Sequence, residues 1–142
     1  MDELETAGIP RKKRGALLTI FAIGLALMAL SNLSKPLKMS PNVGFVFFGV
    51  KLSGMANSIV APLFGIMLAA LAYGIWTMRR FALPIAHFYA TYVIINLMMF
   101  TIRSSGTPNM PPLGFWIIYI VVAVGFSLGT AIILTQRKAD LT

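Results

Sequence analysis

Long apolar runs without charged residues constrain this sequence more than any other feature. Two such runs, residues 54–77 and 82–102, contain no Asp, Glu, Lys or Arg, and only the basic turn Met78-Arg79-Arg80-Phe81 separates them. Each exceeds the roughly 20 apolar residues that an α-helix needs to cross the hydrocarbon core of a bilayer. Because a helix satisfies its own backbone polar groups there, the pair predicts a transmembrane helical hairpin.

Two further apolar stretches flank this hairpin. The chain carries only 11% charged residues, whereas a soluble domain usually carries about 25%. The stretch at 15–33 follows a basic cluster, as the core of a signal peptide does, but it is longer than the ~7–15 residues usual there. We therefore predict an all-α integral membrane protein, an up-down bundle forming a single membrane domain over residues 1–142. Its four transmembrane helices are expected at about residues 15–33, 54–77, 84–102 and 114–135, with a long outer loop at 34–53.

The positions of the basic residues predict the orientation of this bundle. With both termini in the cytoplasm, eight Lys and Arg residues lie inside and four outside, and the positive-inside rule then favours N-in/C-in. Basic helix ends also attract anionic lipids, and they explain the net charge of +8 better than nucleic-acid binding does, since no nucleic-acid motif is present. The inside set is Arg11, Lys12, Lys13, Arg14, Arg79, Arg80, Arg137 and Lys138, and the outside set is Lys35, Lys38, Lys51 and Arg103.

The residue types in the predicted helices exclude most catalytic chemistry. All four acidic residues lie outside the helices and cysteine is absent. A proton relay or a cation-coupled transporter normally needs a carboxylate within the membrane. We therefore expect neither an enzyme nor a bound metal or cofactor. The one open exception is His87, the single histidine, which could ligate a haem or pigment but more simply hydrogen-bonds Thr91 or a backbone carbonyl.

Polar side chains concentrate in the third predicted helix. At 100° per residue Tyr89, Tyr92 and Asn96 share one face, which we expect to point into the bundle, while His87 lies on another face near the inner interface. An amide left to lipid costs several kcal/mol, so Asn96 requires a partner. The second helix offers three candidates at similar depth, namely Asn57, Ser58 and the carbonyl that Pro62 frees by lacking an N–H.

The fourth predicted helix contains a GxxxG motif, Gly125 and Gly129. Two glycines at this spacing allow another helix backbone to approach closely in a membrane. We predict that both glycines touch a helix backbone, either in this chain or in a partner.

The outer loop contains an apolar patch at residues 43–50 that is too short to cross a bilayer. Its aromatic members are Phe45, Phe47 and Phe48. The patch can lie along the outer interface, fold back over the bundle or dock on a partner protein.

The centre of the chain resembles a known group of proteins. Gly74-Ile75-Trp76, the basic pair Arg79-Arg80 and the following Phe81-Ala82-Leu83-Pro84 resemble the pattern of small uncharacterised four-helix bacterial membrane proteins. The resemblance implies a multi-pass protein of the cell membrane, specifically the bacterial inner membrane. It implies no activity, because none is assigned to that group.

Three hypotheses for the function follow. The first is an accessory or structural subunit of a larger membrane complex that contributes helix packing and lipid contacts, with other membrane subunits or further copies of itself as partners. The second is a small oligomeric transporter or channel, lined by the polar face of the third helix. The third is a haem- or pigment-binding membrane protein that uses His87.

Overall fold

Four long helices account for most of the chain. The computed structural model describes residues 15–37, 46–52, 54–108, 110 and 112–142, of which the side chain of Pro36 is not described. All four helices are long and apolar enough to cross a membrane, which makes the chain a multi-pass, predominantly α-helical membrane protein. The helices are α1 (Ala16–Leu33), α2 (Gly54–Trp76), α3 (Ala82–Ser104) and α4 (Leu113–Gln136).

The helix ends agree with the predicted ranges to within two residues. Helix α3 begins at Ala82, so Pro84 lies in its first turn, where the missing proline N–H removes no intrahelical bond. Helix α2 continues through Pro62 without interruption. Its end is closed by Met78, which has a φ of +54°. The amides of Met78 and Arg79 donate to the carbonyls of Ile75 and Gly74, as in a Schellman motif.

The tightest helix contact joins α1 and α2. A Cβ placed on Gly65 of α2 would lie 3.1 Å from the carbonyl oxygen of Ala29 and 3.2 Å from the amide of Leu33, so the two backbones nearly touch. Ala61, one turn before Gly65, is fully buried, as is Leu25 on α1. Small residues permit this approach, which replaces lipid contacts by closer van der Waals packing.

The other helix pairs meet through aromatic residues and one more glycine. The rings of Phe21 on α1 and Phe126 on α4 lie edge to face with centroids 5.0 Å apart, and the ring of Phe126 also packs against Gly24 of α1. Gly74 near the end of α2 leaves room for Phe81 and Ala82, so the following turn folds tightly. Leu68, Leu71 and Ile75 of α2 are completely buried between the helices.

The outward faces of the helices are as apolar as the core. Large aliphatic side chains that are more than half exposed occur on every helix, including Leu27, Leu63, Ile102 and Val121. A soluble bundle would place charged residues at such positions. This distribution is typical of helices surrounded by lipid.

The loop between α1 and α2 contains a short β-hairpin that the sequence did not predict. Strands β1 (Val46–Phe47) and β2 (Val50–Lys51) pair antiparallel, with Val46 opposite Lys51 and Phe47 opposite Val50. The two turn residues, Phe48 and Gly49, have φ of +46° and +78°, as in a type I′ turn. A 3₁₀ turn at Lys35–Leu37 follows α1.

The last residues pack back on the turn between α2 and α3. After α4 a 3₁₀ turn, Lys138–Asp140, redirects the chain. Leu141 is then buried. The amide of Thr142 donates to the carbonyl of Met78, and the amide of Arg80 donates to the carbonyl of Thr142, both at 2.9 Å. This arrangement is that of one bridge in a parallel ladder, and it joins the end of α4 to the Arg79-Arg80 turn.

Candidate functional site

The polar face of α3 forms a docking site for the β-hairpin. The hydroxyl of Tyr92 donates to the carbonyl of Val46 at 3.0 Å, and the amide of Gly49 donates to Oδ1 of Asn96 at 3.0 Å. Tyr92 is buried and Asn96 is half-buried. The two side chains, one turn apart on α3, therefore bind one backbone group of strand β1 and one of the hairpin turn.

Aromatic rings fill the space around these hydrogen bonds. The ring of Tyr92 lies 4.9 Å from Phe64 on α2 and 5.6 Å from Phe48 in the hairpin. Phe47 packs on Phe48 with centroids 4.6 Å apart. Tyr89, one turn below Tyr92, is buried and its hydroxyl faces Sδ of Met28 on α1 at 4.0 Å. Tyr92 thus joins α2, α3 and the hairpin in a single aromatic cluster.

Gly49 brings the hairpin turn onto the backbone of α3. A Cβ on Gly49 would lie 2.7 Å from the carbonyl carbon of Met99 and 2.8 Å from the amide nitrogen of Phe100. Only glycine fits this contact, and its positive φ also favours glycine. For residues 46–51, the structure thus selects the fold-back over the bundle from the three predicted arrangements of the loop patch. Phe45 lies outside the described residues.

The partner of Asn96 differs from the prediction, which placed it on α2. Oδ1 of Asn96 accepts from the hairpin instead. Ser58 is exposed and donates to the carbonyl of Gly54 in its own helix at 3.1 Å, so this hydroxyl needs no partner from α3. The assignment of Ser58 to the polar interior is wrong for that reason. Asn57 is buried, and Pro62 is half-buried within α2.

His87 pairs with α4, which corrects the predicted bond to Thr91 or a backbone carbonyl. Its Nε2 lies 2.9 Å from Oγ1 of Thr135, while the hydroxyl of Thr91 donates to the backbone carbonyl of His87. The hydroxyl of Thr135 donates its one proton to the carbonyl of Ala131. The Thr135 side chain therefore bonds both its own helix and the imidazole of α3. The imidazole is exposed on the outer surface of the bundle.

The GxxxG motif does not make the predicted contact with a helix backbone inside the chain. Gly125 has no described atom within 4 Å of the position its Cβ would take. Gly129 faces the ring of Phe21 at 3.2 Å, a side chain and not a backbone. Close packing occurs at Gly65 and Gly24 because α1 is the helix that approaches both α2 and α4.

Several residues whose contacts the structure shows were not predicted from the sequence. Asn32 on α1 is buried, its amide donates to the carbonyl of Met28, and its Oδ1 has no hydrogen-bond partner among the described residues. The bond of Thr135 to His87 and the contact of Gly49 with α3 join residues distant in sequence, so no local pattern could have identified them. The basic pair Arg79-Arg80 is visible in the sequence, but nothing in the sequence distinguishes the contacts of Arg80 from those of Arg79.

The described part of the chain brings together no group of three or more metal-ligating His, Cys, Asp or Glu side chains. No protein-family model matches the chain, and neither curated proteins nor solved structures give a match. The class that the fold defines is a multi-pass α-helical membrane protein, and its function has to be argued from its own surfaces.

Proposed function

We propose that this protein is a non-catalytic structural subunit of a larger membrane complex, which it joins through the open face of α4. The observation that carries the proposal is Gly125, a glycine of a packing motif whose Cβ position has no atom of another described helix within 4 Å. Ile118, Val121 and Val122 flank it and are exposed. A glycine between β-branched side chains is a surface that another helix fits closely.

The use of the polar side chains supports a structural role over catalysis. Tyr92 and Asn96 hold the hairpin, and His87 and Thr135 bond α3 to α4. In each case a polar side chain forms a hydrogen bond with another group of the same chain. These residues therefore act in holding the bundle together, as interhelical hydrogen bonds do in membranes.

We further propose an up-down bundle with both termini in the cytoplasm. Phe21 and Gly24 of α1 approach Gly129 and Phe126 of α4, which supports an antiparallel pair. The pairing of Thr142 with Met78 and Arg80 supports one common end for the C-terminus and the α2–α3 turn. That end carries Arg79, Arg80, Arg137 and Lys138, which the positive-inside rule assigns to the cytoplasm. The resemblance described above is the basis for proposing the bacterial inner membrane.

Native purification with mass spectrometry tests the structural role. The full chain is isolated in mild detergent, as wild type, Gly125→Ile or Ala69→Ile. Ala69 is exposed on α2 and makes a matched small-to-large control on another helix. Because no other described helix approaches the Cβ position of Gly125, isoleucine there should leave the bundle stable and remove the co-purifying subunits, whereas Ala69→Ile should retain them.

Three results would contradict the proposal. One is a wild-type chain that is monomeric and alone. The second is an assembly made only of this chain, with flux across vesicles, which would support a small transporter or channel. The third is a Soret or Q band that disappears in His87→Leu, which would support haem or pigment binding.

A further inference from the structure

A basic cleft lies where the C-terminal residues cross the start of α3. The cleft has a volume of about 560 Å³ and is lined by Arg80, Leu83, Gln136, Lys138, Ala139 and Leu141. Nε of Arg80 donates to the carbonyl of Leu141 at 3.2 Å. This bond orients the guanidinium and leaves its four terminal N–H groups for another acceptor.

The charges around this cleft favour an anion. Asp140 is the only acidic side chain among the described residues, and it lies 3.5 Å from Nε of Arg137. The side chains of Arg80 and Lys138, which line the cleft, form no ion pair within the described residues. A planar guanidinium beside an ammonium binds a phosphate group well, because the first offers paired donors and the second a compact charge.

An apolar groove lies further along the same pair of helices. It has a volume of about 490 Å³ and its lining includes Ile94, Leu97, Met98 and Thr101 of α3 and Ile120 and Val124 of α4. Ile94 is eleven residues beyond Leu83, which corresponds to about 16 Å along α3 and a rotation of only about 20°. The basic cleft and the apolar groove therefore share one face of α3, with the pair formed by His87 and Thr135 between them.

We propose that this face binds one anionic phospholipid, with its phosphate between Arg80 and Lys138 and one acyl chain in the groove between α3 and α4. Basic pockets between membrane helices bind phospholipid headgroups in this way. A lipid fits better than a soluble phosphate compound, because the cleft shares its face of α3 with an apolar groove that an acyl chain can occupy. The inference is independent of the proposed subunit role.

Lipid retention measured by native mass spectrometry tests the headgroup contact. The full chain is reconstituted with equal amounts of phosphatidylglycerol and phosphatidylcholine, and the bound lipid is counted. Arg80→Gln and Lys138→Gln should each lower retention of phosphatidylglycerol about tenfold, since each removes a charge-assisted hydrogen bond. Arg79→Gln removes the same charge from an exposed neighbour that does not line the cleft, and it should lower retention about twofold at most.

A second pair of variants tests the acyl contact. Val124→Trp fills the apolar groove, whereas Val122→Trp places the same ring on the exposed side of α4. Only Val124→Trp should lower retention of long-chain phosphatidylglycerol, and thermal unfolding in detergent without lipid checks that both variants are folded. A dihexanoyl phosphatidylglycerol, whose chains are too short to fill the groove, should bind both variants equally.

The outcomes that would overturn the proposal are distinct. Equal losses in Arg79→Gln and Arg80→Gln would mean diffuse attraction to the basic end and no site. Equal retention of phosphatidylcholine and phosphatidylglycerol would exclude recognition of net charge. Displacement of the lipid by inorganic phosphate at the same concentration would identify a soluble anion as the ligand. Equal effects of Val122→Trp and Val124→Trp would show that no acyl chain occupies the groove. The side chain of Lys138 makes no hydrogen bond or ion pair within the described residues, so Lys138→Gln decides the headgroup question if Arg80→Gln unfolds.

Discussion

Replacing Gly49 with alanine tests the docking of the hairpin on α3 most directly. Gly49 has a φ of +78°, and a non-glycine residue in the left-handed region costs about 1–2 kcal/mol. A Cβ would also lie 2.7–2.9 Å from backbone atoms of Met99 and Phe100. Because a helix backbone cannot rotate aside as a side chain can, the hairpin has to move away from α3 and lengthen the 3.0 Å contact with Asn96.

The structure allows the loss in free energy of unfolding to be calculated for Gly49→Ala, and it offers a matched control. Displacing the hairpin weakens two hydrogen bonds, from Tyr92 to Val46 and from Gly49 to Asn96, each worth about 0.6 kcal/mol in a membrane protein. When the cost of a left-handed backbone at a non-glycine residue is added, Gly49→Ala should lower the free energy of unfolding by about 2–3 kcal/mol. Gly106 has a φ of +75° and no described atom within 4 Å of its Cβ position. Gly106→Ala should therefore cost only the backbone term of about 1–2 kcal/mol.

Two measurements on the same detergent-purified variants decide the matter. Equilibrium unfolding gives the two free-energy losses, and hydrogen exchange gives the protection of the amide at position 49. This amide is bonded to Asn96 in the wild type, so its exchange should accelerate in Gly49→Ala and not in Gly106→Ala. Equal free-energy losses, with unchanged exchange at position 49, would refute the docking of the hairpin on α3.

Three further predictions concern the packing and the orientation of the bundle. Gly65→Val should lower the free energy of unfolding by about 1–3 kcal/mol by forcing α1 away from α2. Ala69→Val on the exposed side of α2 should change it little, and equal losses would contradict the contact. Thr135→Val removes the hydrogen-bond partner of His87 and should cost about 0.6 kcal/mol, whereas Thr91→Val, which loses only a bond within α3, should cost less. A periplasmic reporter fused after Thr142 should be inactive and a cytoplasmic reporter there active, and the reverse result would contradict the N-in/C-in orientation.

The apolar runs predicted the four helices well because length and composition act locally. A run of about 20 apolar residues must form a helix in a bilayer whatever its neighbours are. The basic pair Arg79-Arg80 and the proline at position 84 mark the boundary between α2 and α3. The structure ends α2 at Trp76 and begins α3 at Ala82, within two residues of the predicted ends at 77 and 84.

The hairpin escaped prediction because its strands are only two residues long and its turn is Phe48-Gly49. The usual signal for such a turn is Asn-Gly or Asp-Gly. Its position depends on Tyr92 and Asn96, more than forty residues further along the chain. No local pattern contains that information.

The sequence by itself determined how many helices there are, where they begin and end, and which residue types are available for chemistry. Only the tertiary structure decided which face of each helix is covered, so that Gly65 packs against α1 while Gly125 stays open, and Asn96 binds the hairpin in place of α2. The physical reason is that lipid and protein interior are equally apolar, so a helix in a membrane carries no polar stripe to mark its outer side. Which surface becomes an interface is then settled by the shapes that meet there.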